Sequence, residues 1–368
     1  MRRRSFIQQG AALTTMLGVP RVVRATADNA FAPKPDAWRT FEVTTRVEVA
    51  SGGAAAKAWI PIPSFTAADW IRVDDNTWNT TGDVVEVKRD PRWGVQMLHV
   101  DWRAGTATII TMRSRVTTRD RSTDFTSSQS APALSAAERA LYTSATEFLP
   151  TDGIVRERAQ SIVSGSTTEV EKARRIYEWV VDNTFRRAST RGCGLGDIRF
   201  MVETGDFGGK CADINGLYVA LARASGLPAR DLYGIRVAPS RFGYASLGAK
   251  TSDITKAQHC RAEVFLDRFG WVPVDPADVR KVALEEPPGN LSMNDPHVVA
   301  ARKTLFGAWE TNWIAYNSGH DIRLPDSTGD PLPFLMYPQA EVAGVRSDSL
   351  DAATFKYAIH SRELSTSS

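Results

Sequence analysis

The sequence predicts an α+β protein in which a small antiparallel β domain precedes a core of helices packed on an antiparallel sheet. Three observations predict it. Residues 38–118 alternate β-branched and polar positions between turn signals, residues 135–225 carry capping boxes and apolar positions at helical spacing, and residues 259–275 return to strand periodicity around a turn. At 368 residues, with 42% hydrophobic and 24% charged positions, the chain has room for two such units and an ordinary globular composition.

Residues 1–27, MRRRSFIQQGAALTTMLGVPRVVRATA, combine an arginine cluster, an apolar run from Gly10 to Val19 and a small-x-small end at Ala25 to Ala27. These are the parts of an export signal. The twin arginines followed by Ser5 and Phe6, with Arg21 and Arg24 beyond the apolar run, resemble a twin-arginine (Tat-type) signal. A periplasmic or secreted protein is therefore expected. Five arginines and no acidic residue lie in this segment, so the formal charge of +3 for the whole chain becomes −2 for the remainder. The basic balance belongs to the address, and no Lys/Arg run interleaved with aromatics follows it, so no nucleic-acid partner is expected. No later apolar segment approaches membrane length, so no membrane insertion is expected either.

After a Pro-containing linker at 28–37, residues 38–118 hold the runs RTFEVTTRVEVAS, AAKAWIPIP, VVEVKRD, VQMLHVDWRA and TATIITMRSRVTT, separated by SGG, DPRWG and AGT. They read as a small antiparallel β domain, expected as a sandwich. Polar TTRDRSTDFTSSQSAPA then leads to helices whose starts are marked by Ser135 with Glu138 and by Thr168 with Glu171, both capping-box spacings. In the second of these, Val170, Ala173, Ile176, Tyr177, Val180 and Val181 recur at helical spacing and predict a buried face.

A third helix opens at Cys211 in FGGKCADINGLYVALARASGLPAR, with Ile214, Leu217, Tyr218, Leu221 and Ala222 as its apolar stripe and Gly226 and Pro228 ending it. A cysteine in the first turn meets free backbone N–H groups and the positive end of the helix dipole, which favour thiolate. Gly208 and Gly209 would let a substrate backbone come close. Asp213 is expected to tether the helix start, and Arg230 to pair internally.

Further on, HCRAEVFL, DRFG and WVPVD read as strand, turn and strand, with Cys260 alternating against His259. A turn centred on Phe269 places Asp275 opposite Glu263, and one centred on Asp267 places it opposite His259. Both registers keep His259 and Asp275 on one face. TNWIAYN and LPFLMYPQAE are expected as further strands of this sheet, and TFKYAIHSREL as a closing strand.

A thiol attacks a carbonyl as thiolate, so it needs a base that takes its proton and later protonates the leaving amine. An imidazole does both, oriented by a carboxylate. Cys211, His259 and Asp275 supply these roles in chain order, Glu263 being the alternative acid and His320 the competing base, which lacks a downstream strand-borne carboxylate. The three cysteines lack the CxxC or His spacing of a zinc site, and no cofactor or metal is expected.

Taken together, GGKCADINGLYVALARASGLPARDLYG, HCRAEVFL and GWVPVDP resemble the transglutaminase-like core over residues 130–325. The resemblance implies a papain-like fold with Cys211 as nucleophile, His259 as base and Asp275 as orienting acid, and an N-terminal β domain like that of bacterial members. Residues 326–368 would be C-terminal strands completing or flanking the core. The implied function is a cysteine-dependent hydrolase cleaving an amide of a peptide or protein through a thioester. The alternatives are acyl transfer to an amine and a non-catalytic scaffold. RGCGLGDI lies outside the general motif. With Cys211 reserved as a free thiol, Cys193 and Cys260 are expected either to form a disulfide or to stay as buried reduced thiols.

Overall fold

The computed structural model describes residues 30–364; the proposed export signal at 1–27 lies outside the described residues. The helices are α1 (Ala136–Thr143), α2 (Gly153–Val163), α3 (Glu169–Asn183), α4 (Ile198–Thr204), α5 (Cys211–Ala224), α6 (Pro276–Glu285) and α7 (Pro296–Thr304). Both expected capping boxes form: Ser135 and Thr168 accept from the backbone N–H of Glu138 and Glu171, whose carboxylates accept in return. Each satisfies orphan donors at a helix start.

Two antiparallel sheets make the N-terminal layer pair. One runs Phe355–Leu364, Arg39–Val49, Ile109–Thr118, Ile71–Thr80, and the other is centred on Ala56–Pro61 and Gln96–Trp102. Val47, Ile110 and Met112 from the first face Ile60, Leu98 and Val100 from the second across a shared apolar cluster. Strand Arg39–Val49 buries alternate residues, as period two requires. Phe41 and Val43, on the same face but at its start, join the main core instead. The first sheet therefore contributes both to the sandwich interior and to the helical core.

The C-terminal strands differ from the expectation. Trp313–Asn317 does join the core sheet, but Gln339–Val342 pairs with Ala56–Pro61 and Phe355–Leu364 pairs with Arg39–Val49, so both complete the N-terminal layers. Alternation marks a strand and its buried face; it carries no information about which edge accepts it.

The core sheet is antiparallel in the order Gly270–Val274, Gln258–Leu266, Ala229–Arg236, Trp313–Asn317. α5 lies across it, with α2, α3, α4 and α6 packed around the helix. The sequence predicts one apolar stripe on α5; in the structure every residue from Cys211 to Arg223 is buried. Small residues on the remaining faces, such as Ala212, Gly216 and Ala220, let the surrounding helices approach. The first turn of α5 is thus held rigidly against the middle of the sheet.

Candidate active site

Cys211 is the first residue of α5 and is 3% exposed. The helix start is clamped by Asp213, whose carboxylate accepts from the backbone N–H groups of Lys210 (2.8 Å), Leu195 (3.1 Å) and Gly196 (2.9 Å). Those bonds fasten the 187–197 loop to α5. Gly194 belongs to this clamp, because with φ +91° a Cβ there would lie 1.8 Å from Asp213 Oδ2. Gly209 has a different use from the one expected. A Cβ on Gly209 would lie 2.4 Å from the same oxygen, so the Asp213 clamp demands that glycine, while one on Gly208 would meet only the tips of the exposed Phe185 ring and of Arg187.

His259 sits on strand Gln258–Leu266 opposite Gly234. Its carbonyl accepts from Trp313 Nε1 at 2.9 Å. Gly234 makes room for that indole, since a Cβ would meet Trp313 Cζ2 at 2.6 Å. The hairpin register is Ala262 to Val274 and Leu266 to Gly270, centred on Arg268, which is neither of the two considered. Continued by one residue it sets Asp275 opposite Arg261, still on the face of His259. The contact is diagonal, a distance long polar side chains span. His259 Nε2 lies 2.8 Å from Asp275 Oδ2, leaving Nδ1 for the thiol.

Asp275 is fully buried and well supplied. Its Oδ1 accepts from Asn215 Nδ2 (3.1 Å) and from the Asp278 N–H (3.0 Å), the latter because Asp275 is the N-cap of α6. Asn215 also donates to the Cys260 carbonyl (2.8 Å) and accepts from the Ala277 N–H (3.1 Å), tying α5, the histidine strand and α6 together. Asp278 lies 3.4 Å from His259 Nε2 and pairs with Arg236 at 2.5 Å. Neither residue was singled out from the sequence, although each had a signal. Asn215 stands one turn after Cys211 on a buried helix, and Asp278 stands in VDPAD, where Pro276 marks the first helical position and puts Asp278 one turn from the cap.

The charges of the cluster are mutually supporting. Burial and Arg236 work to lower the pKa of His259, but Asp278 and Asp275 outweigh them and push it up to about 10. Burial would raise Cys211; hydrogen bonds from Cys193, Cys260 and His259, and the charge of His259, bring it well below the ordinary thiol value. Asp275 is pushed up by burial and by Asp278. Asp278 resists burial and lies well below the usual carboxylate range because Arg236 and His259 face it. A thiolate beside an imidazolium is the state this arrangement favours.

All three cysteines are free thiols, and the sulfurs of Cys193, Cys211 and Cys260 lie within 4.8 Å of one another. Cys193 donates to the Gln258 carbonyl at 3.4 Å. The hydrogen bond to Cys211, with burial behind it, raises Cys193 well above the ordinary thiol value, and burial with bonds to Cys193 and Cys211 does the same for Cys260, which favours both as protonated donors to the Cys211 sulfur.

Glu263, the alternative acid, is committed elsewhere: it is fully buried between Arg230 (2.6 Å) and Arg121. His320 does have a carboxylate, Asp231 Oδ2 at 3.5 Å, on the upstream strand Ala229–Arg236. Burial holds that imidazole neutral and it bonds Tyr233 at 3.2 Å, outside the cleft where Cys211 lies. The cleft itself, about 970 Å³, is lined by Cys211 and His259, by the 245–257 loop and by 349–357 from the C-terminal segment. Gln258 also lines it, and its Nε2 is buried with no hydrogen-bond partner among the described residues.

A buried thiol at a helix start, facing an imidazole held by a strand-borne carboxylate on an antiparallel sheet, is the architecture of cysteine hydrolases and acyl transferases with a papain-like fold. Residues 156–276 match the transglutaminase-like superfamily and form a transglutaminase-like domain. An uncharacterised protein of Haemophilus influenzae is 43% identical over 232 residues, 61% of this chain and 62% of that relative's length. A Cytophaga hutchinsonii structure described as a candidate cysteine protease superposes with a TM-score of 0.55 over 90% of this chain and 92% of its own, at 12% identity, a likeness of fold. The periplasmic domain of TgpA from Pseudomonas aeruginosa aligns with a TM-score of only 0.34, 16% identical over 67% of this chain and 88% of that one, and carries no argument.

Proposed function

We propose that this protein is an exported cysteine-dependent hydrolase that cleaves an amide bond through a thioester on Cys211. The observation that carries the reading is the geometry: Cys211 at the start of α5, beside His259, whose Nε2 lies 2.8 Å from the buried Asp275 carboxylate, in a charge setting that lowers the thiol and raises the imidazole. The thiolate adds to the amide carbonyl, His259 gives its proton to the leaving amine, and the neutral imidazole then activates water against the thioester. Asp275 holds the ring in the tautomer that presents Nδ1 to sulfur. Developing oxyanion charge would be met by the backbone N–H of Cys211 at the α5 start, the Ala212 N–H being taken by the Cys193 carbonyl at 2.9 Å, and by the unpartnered Nε2 of Gln258. Hydrolysis is preferred to transfer because water is everywhere in the proposed compartment and no dedicated amine site is evident around Cys211. Export rests on residues 1–27, and among the described residues no helix is long and apolar enough to cross a membrane.

The test is iodoacetamide labelling of the native protein across pH. Cys211 is expected to alkylate well below the pH at which an ordinary thiol ionises, and a rate profile indistinguishable from a free cysteine would sink the reading. Incubation with candidate peptide amides and an excess of primary amine then separates hydrolysis from transfer by product mass.

A further inference from the structure

The cleft over Cys211 is strongly cationic in a chain whose part beyond residue 27 carries a net negative charge. Seven Lys and Arg side chains line it against two acids, Asp253 and Glu285. Arg236 is neutralised by Asp278 and Arg191 by Asp348. Arg186 and Lys281 share the single carboxylate of Glu285, leaving one positive charge over. Lys210, Lys250 and Lys256 form no close ion pair among the described residues, Asp253 acting on Lys256 only at longer range. Lys210 directly precedes Cys211, while Lys250 and Lys256 stand on the 245–257 loop that also lines the cleft. With Asp253 counted, three of the seven cations still lack a counter-charge, so an anion entering the cleft meets a net positive wall. A low-dielectric cleft of one sign also focuses its field and concentrates ligands of the other sign.

We infer that the acyl substrate is an acidic peptide, with carboxylates flanking the scissile amide that pair with Lys210, Lys250 and Lys256. This rests on the amide-hydrolase reading for the bond that is broken, but the anion preference belongs to the cleft and is measurable without turnover. Lysine suits this use, because a flexible point charge accommodates carboxylates at varied spacing. A peptide also fits the walls, since Tyr337, Leu350 and Tyr357 interleave apolar surface with the cations.

The reactive thiol is itself the probe. The ratio of alkylation rates of Cys211 by iodoacetate and by neutral iodoacetamide is compared with the ratio for N-acetylcysteine amide. It is expected to exceed that reference on the order of tenfold at low salt, and to shrink toward it at about 0.5 M salt. The His259 imidazolium contributes to the ratio in every variant, so the lysines are isolated by Lys250→Glu with Lys256→Glu, which should lower it several-fold while leaving the iodoacetamide rate nearly unchanged. An unchanged ratio overturns the inference. In a second arm, a fluorescein-labelled peptide of alternating Glu and Ala is bound to Cys211→Ser and compared by anisotropy with its Gln counterpart. Equal binding of the two overturns it, as does equally tight binding of inorganic polyphosphate, which would mark an unselective anion sink. If Cys211 reacts with neither reagent, the hydrolase reading fails and the peptide arm alone decides the anion preference.

Discussion

Asp278→Asn removes one of the two carboxylates facing His259 while keeping the side chain's size. At 3.4 Å, a full charge acts on the imidazolium with about 5 kcal/mol at an effective dielectric of 20. That is a gross figure. Asp275 still holds the ring at 2.8 Å, and Arg236, freed of its partner, adds a lowering influence of its own. The expected net result is a fall of His259 from about 10 by roughly 1–2 pKa units, or about 1.4–2.7 kcal/mol. The sign follows from the charge: loss of an anion destabilises the imidazolium, so the alkaline limit of activity moves to lower pH. Titration of the His259 ring resonances in nitrogen-labelled protein reads this directly and needs no substrate. An orphaned Arg236 should also cost stability, about 3–5 kcal/mol for a broken buried pair, and adding Arg236→Gln should return part of it. A His259 titration that moves by less than half a unit in a folded Asp278→Asn protein would refute the reasoning.

The remaining predictions concern the thiol, its partners and the scaffold. Cys211→Ala should abolish covalent chemistry and His259→Ala nearly so, Asp275→Ala should leave reduced turnover, and His320→Ala should leave it nearly intact; turnover retained by Cys211→Ala ends the assignment. Gln258→Leu should lower kcat about 10- to 100-fold with little change in KM if its Nε2 meets the oxyanion, and an unchanged kcat removes it from that role. Asn215→Ala removes three buried hydrogen bonds at once, so denaturant unfolding should show a loss of about 2–4 kcal/mol, and a change under about 0.5 kcal/mol would mean the α5 to α6 tie is redundant. Alkylation under denaturing conditions without reductant counts thiols: one alkyl group on Cys211 means the Cys193 to Cys260 bridge, three mean reduced thiols, and peptide mapping excludes a bridge through Cys211, whose sulfur also lies within 4.8 Å of both.

Much of the site was legible in the chain because its signals are local. The capping boxes at Ser135 and Thr168, the cysteine at a helix start and the alternation that puts His259 and Asp275 on one face each depend on residues a few positions apart. Helix and strand periods report such neighbours directly. What depends on contacts between distant segments was decided only by the tertiary structure. The hairpin turn took a centre between the two considered, because a two-residue period defines a face and leaves the pairing partner open. Asn215 and Asp278 acquire their roles only when α5, the histidine strand and α6 converge on one imidazole. Gly208 and Gly209 look in sequence like openings for substrate, yet Gly209 is small because the buried Asp213 presses on it. Cys193 is brought to Cys211 by a loop that Asp213 fastens down, and the final strand leaves the core to pair with the first. The sequence by itself determined which residues are chemically able to act and on which local element each stands. The packing of the helices on the sheet decided which of them meet, because burial rewards any arrangement that covers the apolar faces, and the polar contacts made inside are a property of the whole arrangement.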